Sequence, residues 1–472
     1  MKKQLATGLL TAALVLGTAA CGPNESSVPS GTSGAGPGSD AQTLVEQLQV
    51  SQEFLESLRG MEVTRVYPWA LEDPDVESES YKLRKQLEEE YGFTLTDKGI
   101  SGNYNESMVP SLLAGKPYGD IMLCPEDYFN EWFQAGVMAD LTPAAQTLGI
   151  DFTDELYEQN IRKYTAVNGG QYGYGYAQTD YSVYCSLYYN KRILEENQLE
   201  DPFALREKGE WTFDKLAEYA RICKKTNADG TVEQWGLGSW TDNELMIAMI
   251  NANDGSIVSL NENNQLQLNL KDAKTQEALE YMYRWCNVDK LVNVSEGGWE
   301  KTMADFVSGK YAFMLGTGHT LNLAGANGMT DEFGVLTFPE GPSNTSGETD
   351  YSMHYYYWFI PQKYQDQAAQ LLYIHDLLER RDTRSFEERF EETYLLKIPD
   401  ETSYNDFLER SRKAPKYELF SYSGIVWTDP GIYAISTSIF TGQSTPGSIV
   451  DRLYGSLESA LKDHWEGITF NG

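Results

Sequence analysis

The sequence holds little of what a metal, redox or nucleic-acid protein needs. Five of its 472 residues are cysteine, and the four after Cys21 (Cys124, Cys185, Cys223 and Cys286) are widely spaced with no C-x-x-C pair, which excludes a zinc ribbon or a dithiol redox motif. The four histidines, His319, His354, His375 and His464, form no cluster at ligand spacing, so neither a metal centre nor a cofactor is expected. G-x-S-x-G, P-loop and H-E-x-x-H patterns are all missing, which removes several hydrolytic classes. Basic residues are outnumbered: 37 Lys and Arg against 70 Asp and Glu give a net charge of −33. Such a field repels nucleic acid and polyanions and admits neutral or cationic ligands more easily. Beyond the N-terminus, no apolar run reaches membrane-spanning length without charges.

What is present begins with an export signal. "MKKQLATGLLTAALVLGTAAC" has two lysines, an apolar run from Leu5 to Leu16 and a small-residue stretch ending at Cys21, the layout of a secretory signal over residues 1–21. Thr18-Ala19-Ala20-Cys21 resembles the lipobox of bacterial lipoproteins, with Thr18 where leucine is usual. That resemblance implies a lipidated Cys21 anchored in the cell membrane. The Gly/Ser/Pro-rich residues 22–42 bury too little apolar surface to fold and read as a flexible tether.

Beyond the tether, strands and helices alternate. "MEVTRVYPW", "FTLTDKG" and "YGDIMLCP" read as strands separated by the helices "ESESYKLRKQLEEEYG" and "NESMVPSLLAGK", a β-α-β-α-β order that implies a mostly parallel sheet. A second alternation starts at "TFDKLAEYARICKKT", with Thr212 at the N-cap, and continues through "WGLGS" and "ELMIAMINAN". Two α/β lobes are expected. Between the blocks lie two tyrosine-dense segments, "YGYGYAQTDYSVYCSLYYN" (Tyr172–Asn190) and "MHYYYWFIP". In the first, Tyr172, Tyr174, Tyr176, Tyr184 and Tyr188 share one parity and so one face of an extended strand. That face is either a core filled by hydrogen-bonded tyrosines or a wall facing a ligand cleft.

The ordered pieces "SLLAGKPYGDIML", "YGYGYAQTDYSVYCSLYYNKRILEENQL", "EWTFDKLAEYARICKKT", "FVSGKYAFMLGTG", "FPEGP", "YYYWFIP" and "STPGSIVDRLYGSLESALK" span most of the chain after the tether. Together they resemble the extracellular solute-binding proteins of ATP-driven sugar importers, the group that includes the maltose-binding proteins. The resemblance implies a two-lobed α/β fold in which each lobe is a mostly parallel sheet flanked by helices. Crossing strands join the lobes, and Gly173 and Gly175 let the backbone bend there. Residues 43–178 and 306–353 are expected to form lobe 1, and 179–305 and 354–472 lobe 2. It further implies a monomeric, non-enzymatic, extracytoplasmic protein whose partners are a carbohydrate and the permease subunits of an ABC transporter.

Ligands of open α/β sheets bind beyond the carboxyl ends of strands. The residues there are Trp69 after the first strand, Tyr104 and Asn105 after the second, and Glu126 and Asp127 after the third. Trp240 and Asp242 follow "WGLGS", and His319 follows "YAFML". Tyr176 and Asp180 from the first tyrosine-dense segment, Trp299 and Trp427 complete the candidates. Aromatics paired with Asp, Asn or Glu suit a sugar, whose C–H faces stack on rings while its hydroxyls bond to carboxylates and amides. Two rival readings stay open. A sensor-associated binding protein keeps the fold and changes the destination of the signal. A secreted glycoside hydrolase needs two carboxylates across a scissile bond, which Glu126, Asp127, Asp242 and Glu300 supply on paper.

Overall fold

The protein is described here by a computed structural model covering residues 48–101, 104–177, 185–317, 328–352, 356–395, 397–398, 400–413 and 416–471, except the side chains of residues 105, 106, 299, 393 and 427. The expected signal, tether and Cys21 lie outside these residues. Among the described residues no helix is long and apolar enough to cross a membrane.

The first sheet starts with strands β1 (Glu62–Tyr67), β2 (Thr94–Gly99) and β3 (Ile121–Pro125). Helix Glu79–Tyr91 links β1 to β2. Its Ser78 N-cap accepts from the Tyr81 amide at 3.3 Å, and it stops at Gly92, whose φ of 77° is the left-handed geometry a C-cap requires. Helix Tyr104–Leu113 links β2 to β3. Both crossovers return the chain parallel, so β1 pairs with β2 (Val63 opposite Leu95) and with β3 (Val66 opposite Met122).

The second sheet contains β4 (Ser186–Asn190), β5 (Val232–Ser239), β6 (Val292–Asn293), β7 (Tyr311–Gly316) and β8 (Phe333–Leu336), in the order β6-β5-β7-β4-β8. The chain then returns to the first sheet as β9 (Tyr356–Phe359), antiparallel to β3. Each sheet has a reversed strand between parallel ones or at its edge, β9 in the first and β4 in the second, and the short strand Lys225–Thr226 also runs antiparallel to β5. Strands β9 and β4 belong to the tyrosine-dense segments, through which the chain passes between sheets. These segments also bond to each other, because Tyr174 and Trp358 exchange both backbone hydrogen bonds, at 2.9 and 2.8 Å.

Two lobes of mixed sheets flanked by helices result, and the expected fold class stands. The expected boundaries within it do not. Residues 306–353 were assigned to lobe 1, but β7 is laddered between β5 and β4 and β8 borders β4, all in the second sheet. Residues 356–381 go the other way: β9 pairs with β3, and helix Ala368–Arg381 buries Leu371, Leu372 and Ile374 with Val63, Leu87, Leu95 and Ile121. The chain crosses a third time before helix Glu401–Arg412, whose Ser403 Oγ accepts from the Val335 amide of β8 at 2.9 Å. The C-terminal helix Pro446–Trp465 joins both lobes. Tyr454 donates to the Leu268 carbonyl at 3.0 Å, while beyond the helix Phe470 bridges Val167 and the Asn471 amide donates to Ala166 at 2.9 Å.

The opening ambiguity of the first tyrosine-dense segment resolves toward the core for the tyrosines described. Tyr174, Tyr176 and Tyr188 are each 2% exposed or less. The Tyr188 hydroxyl donates to the Thr317 carbonyl at 2.7 Å, and Tyr174 shares a 2.8 Å hydrogen bond with His375 Nδ1. Helix Ala368–Arg381, arriving late in the sequence, closes over Tyr174 and Tyr176, while Tyr188 packs with Phe306 and Phe333 in the second lobe. Residues 178–184, including Tyr184, lie outside the described residues.

That closure makes His375 a titration point. Burial, and then the Arg65 charge, hold its pKa well below the ordinary 6.5. The unfolded chain therefore takes up a proton that the folded chain refuses, so the stability tied to this imidazole is full above about pH 6.5 and is lost below it, at up to ~1.4 kcal/mol per pH unit. Asp376 and Glu379 are pushed up by burial and offset the loss at lower pH. Urea denaturation from about pH 7 to about pH 5.5 is expected to show a falling midpoint in the native protein and a flatter one in His375→Gln.

Candidate functional site

The carboxyl ends of β1, β3 and β5 carry most of the polar and aromatic candidates. Two residues past β1, Trp69 is 41% exposed, and its ring meets Tyr67 at 5.6 Å and Tyr356 at 5.2 Å, the latter edge-on at 82°. Tyr356 is also 41% exposed. Large rings left this open are unusual, because each could bury more than 150 Å2 by turning inward. Tyr356 stands opposite Pro125 in the β9–β3 ladder, so it adjoins the single 3-10 turn Glu126–Tyr128 that follows β3. Glu126 is buried and accepts from the Tyr417 hydroxyl, while Asp127 is half-buried. Burial, and then Asp127 and Glu126, raise the Tyr356 phenol pKa.

In the second lobe, β5 ends at Ser239 and is followed by Trp240, half-buried against the core around Tyr188, Met303 and Phe306. Thr241 then caps helix Asp242–Ala252, its Oγ1 accepting from the Glu244 amide at 3.2 Å. Asn243, the second residue of that helix, accepts from Ser436 of helix Tyr433–Phe440, which docks that helix beside the strand end. Tyr433 reports on both lobes together: its phenol pKa is raised by burial and then by Glu244, Asp127, Glu126 and Asp242. Two carboxylates from each lobe therefore act on one side chain.

Of the expected site residues, Trp69, Glu126, Asp127, Trp240 and Asp242 lie at these strand ends. Tyr104 and Tyr176 are placed elsewhere. Tyr104 is 3% exposed, donates to the Leu123 carbonyl at 2.8 Å and packs on Trp132, because helix Tyr104–Leu113 turns it under the first sheet. Tyr176 is enclosed by Tyr157, Tyr174 and His375. Asp180 and His319 lie outside the described residues, as do the side chains of Asn105, Trp299 and Trp427. Tyr356, Tyr417, Tyr433 and Glu244 adjoin these strand ends and are not among the expected residues. Tyr356 alternates with buried Tyr357 in "YYYWF", a parity signal that was legible, and Glu244 is two residues from Asp242. Tyr417 and Tyr433 come from irregular sequence with no such signal.

Among the described residues no group of three or more His, Cys, Asp or Glu is placed to hold a metal ion. The four described cysteines are free thiols, and Cys124, Cys185 and Cys223 are buried. Burial raises the pKa of all three, so they act as small apolar groups.

The family model for bacterial extracellular solute-binding proteins matches residues 74–379. No curated protein matches the sequence. Solved structures match at low identity over most of the chain. CpMnBP1 with mannotriose bound is 17% identical, covers 86% of this chain and 98% of its own, and superposes with a TM-score of 0.58. The GacH receptor of Streptomyces glaucescens, solved unliganded and with acarbose, is 16% identical over 85% of this chain and 98% of its own, with a TM-score of 0.59. UgpB from Mycobacterium tuberculosis, in complex with glycerophosphocholine, is 15% identical over 85% and 98%, with a TM-score of 0.58. At these identities the likeness establishes the fold.

Proposed function

This chain belongs to the bacterial extracellular solute-binding proteins, and from that premise we propose that it captures a carbohydrate, most simply an oligosaccharide, between its lobes and delivers it to the permease of an ABC transporter. The family consists of binding proteins, not enzymes, and is extracytoplasmic. We further propose that a lipidated Cys21 anchors the protein and that it works as a monomer. The observation that carries the ligand class is the exposed Trp69–Tyr356 ring pair beside Asp127. An aromatic platform next to a carboxylate matches the two faces of a sugar, C–H and hydroxyl. The mannotriose and acarbose complexes among the neighbours support the same class, while the glycerophosphocholine complex is the reason to test it. Calorimetry against a glycan panel is expected to find a saccharide ligand. Tight binding of a peptide or amino acid with no saccharide response would refute the reading.

Trp69→Ala is expected to weaken saccharide binding by up to roughly tenfold while leaving the melting temperature almost unchanged, since an aromatic contact contributes on the order of 0.5–1.5 kcal/mol and this ring is largely open. Trp132→Ala is the contrasting control. Its fully buried ring should cost about 3–5 kcal/mol of stability. A loss of several degrees in Trp69→Ala, measured by calorimetry, would make Trp69 a packing residue. Trp240→Ala is expected to fall between the two because half its surface is in the core.

A further inference from the structure

We propose that a protonated carboxyl latches the two lobes together: the Glu418 acid donates a hydrogen bond to Asn251 Oδ1 of the second lobe, and ionisation of Glu418 loosens that joint. The latch rests on the two-lobed fold and is independent of the ligand class proposed above.

Glu418 follows the short strand Lys416–Tyr417, which pairs with Tyr351–Ser352, and the Glu418 amide continues the pairing by donating to the Ser352 carbonyl at 2.9 Å. Successive side chains of an extended stretch point to opposite sides, and here the sides are the two lobes. Lys416 donates to the Gly255 carbonyl and Glu418 lies beside Asn251 of helix Asp242–Ala252, both in the second lobe. Between them, Tyr417 donates to Glu126 and stacks on Tyr164 at 4.9 Å, and farther on Tyr422 donates to the Tyr164 carbonyl, all in the first lobe. The stretch is therefore seated on both lobes at once.

Its seat on the second lobe lacks a donor. Glu418 is 1% exposed and Asn251 3%. Asn251 Nδ2 donates to the Ile247 carbonyl of its own helix at 3.0 Å, which leaves Oδ1 as a buried acceptor with no donor. Neither Glu418 oxygen has a hydrogen-bond partner among the described residues. A carboxylate only accepts, so buried acceptors would lie side by side unbonded, whereas a carboxylic acid supplies the missing O–H. The charged and titratable groups around Glu418 are Lys416 and Tyr417 on its own strand, Tyr351 on the paired strand, the Asp254–Lys274 ion pair of the second lobe and the Tyr164 phenol of the first. Burial raises the Glu418 pKa above the ordinary 4.5, outweighing Lys416, the Asn251 amide and the Val258 and Ile257 backbone amides, which favour the charged form.

The test compares the native protein with Glu418→Gln, which keeps the shape and a donor and cannot ionise, from about pH 5 to about pH 9 without ligand. A carboxyl whose pKa is raised by folding contributes stability that is full below its unfolded value and lost as the pH rises through its folded value. In urea denaturation, the folding equilibrium constant of the native protein should therefore fall relative to Glu418→Gln, by up to about tenfold per pH unit. His375, Asp376 and Glu379 titrate in both proteins and cancel. Hydrogen exchange over residues 416–424 and 251–258, compared between the two proteins at each pH, should accelerate in the native protein alone. Lys416→Met removes a cation that favours the charged form and should move both changes to higher pH, a response that a merely structural Glu418 would not give. Parallel stability curves, or a native protein that gains on Glu418→Gln as the pH rises, overturn the inference. A stability difference without an exchange difference also overturns it, because the proton is then held without joining the lobes. Should Glu418→Gln fail to fold, Lys416→Met decides: a titration displaced to higher pH upholds the latch and an unmoved one overturns it.

Discussion

Arg410→Leu is expected to cost about 3–5 kcal/mol of folding stability, because it breaks a buried ion pair and leaves its partner uncompensated. The Arg410 and Asp350 side chains are 5% and 13% exposed. The guanidinium donates to Asp350 from Nε at 2.9 Å and from Nη2 at 2.6 Å, and Nη2 also reaches the Cys185 carbonyl at 2.9 Å and Ser186 Oγ at 3.4 Å. These partners come from three passages of the chain between lobes. Cys185 and Ser186 end the first crossing, Asp350 lies in the second, between β8 and β9, and Arg410 itself lies on the helix that follows the third. One cation therefore ties together segments far apart in sequence, beside the short ladder of Tyr351–Ser352 on Lys416–Tyr417. Removing the carboxylate as well, in Arg410→Leu/Asp350→Leu, should recover much of the loss, since an apolar pair of similar volume avoids the desolvation penalty. Urea denaturation measures both. A single-mutant loss under about 1 kcal/mol would mean that solvent screens the pair as it does at a surface.

Legibility followed the range of the interactions that decide each feature. The first lobe was readable because β1, helix Glu79–Tyr91, β2, helix Tyr104–Leu113 and β3 each carry their own period and stop signals, and successive units pair with neighbours. Lobe membership of β7 and β9 was not, because "YAFML" is apolar throughout and suits either sheet. Only its ladders to Trp235–Ser239 on one side and Ser186–Tyr189 on the other decide the matter. Five residues of the proposed site lie where a topological rule places them, at the carboxyl ends of strands: Trp69, Glu126, Asp127, Trp240 and Asp242. Tyr104 obeyed the same rule and was misplaced, since position past a strand does not say which way a helix turns its first residue. Tyr174 and Tyr176 show the limit of parity. Alternation marks a face but not what covers it, and the cover here is His375, some two hundred residues away in sequence.

That cover also changes what Gly173 does, and Gly173→Val is expected to cost about 3 kcal/mol or more, mostly through folding. A hinge role would call for unusual backbone freedom at Gly173 and Gly175, yet neither adopts positive φ. Both are buried where neighbours press close. A Cβ at Gly173 would stand 2.4 Å from Tyr357 Cδ2 and 3.0 Å from Thr165 Cγ2, and one at Gly175 would stand 2.5 Å from Ile161 Cδ1. Tyr357 has no easy retreat. Its ring packs on Phe129 at 5.6 Å and its hydroxyl donates to Cys124 Sγ at 3.0 Å beneath the first sheet. The Gly173 carbonyl is held too, by Thr165 Oγ1 at 2.9 Å and Gln171 Nε2 at 2.6 Å, so the strand cannot shift away without losing those bonds. Valine adds three carbons to a position without room for one. Shrinking the neighbour should relieve the clash, so Gly173→Val/Tyr357→Leu is expected to cost less than the sum of its single substitutions, a favourable coupling of about 1 kcal/mol or more by double-mutant cycle. Ligand-induced compaction, measured by small-angle scattering, should persist in whatever fraction of Gly173→Val remains folded. Unchanged stability with abolished compaction would return Gly173 to the hinge.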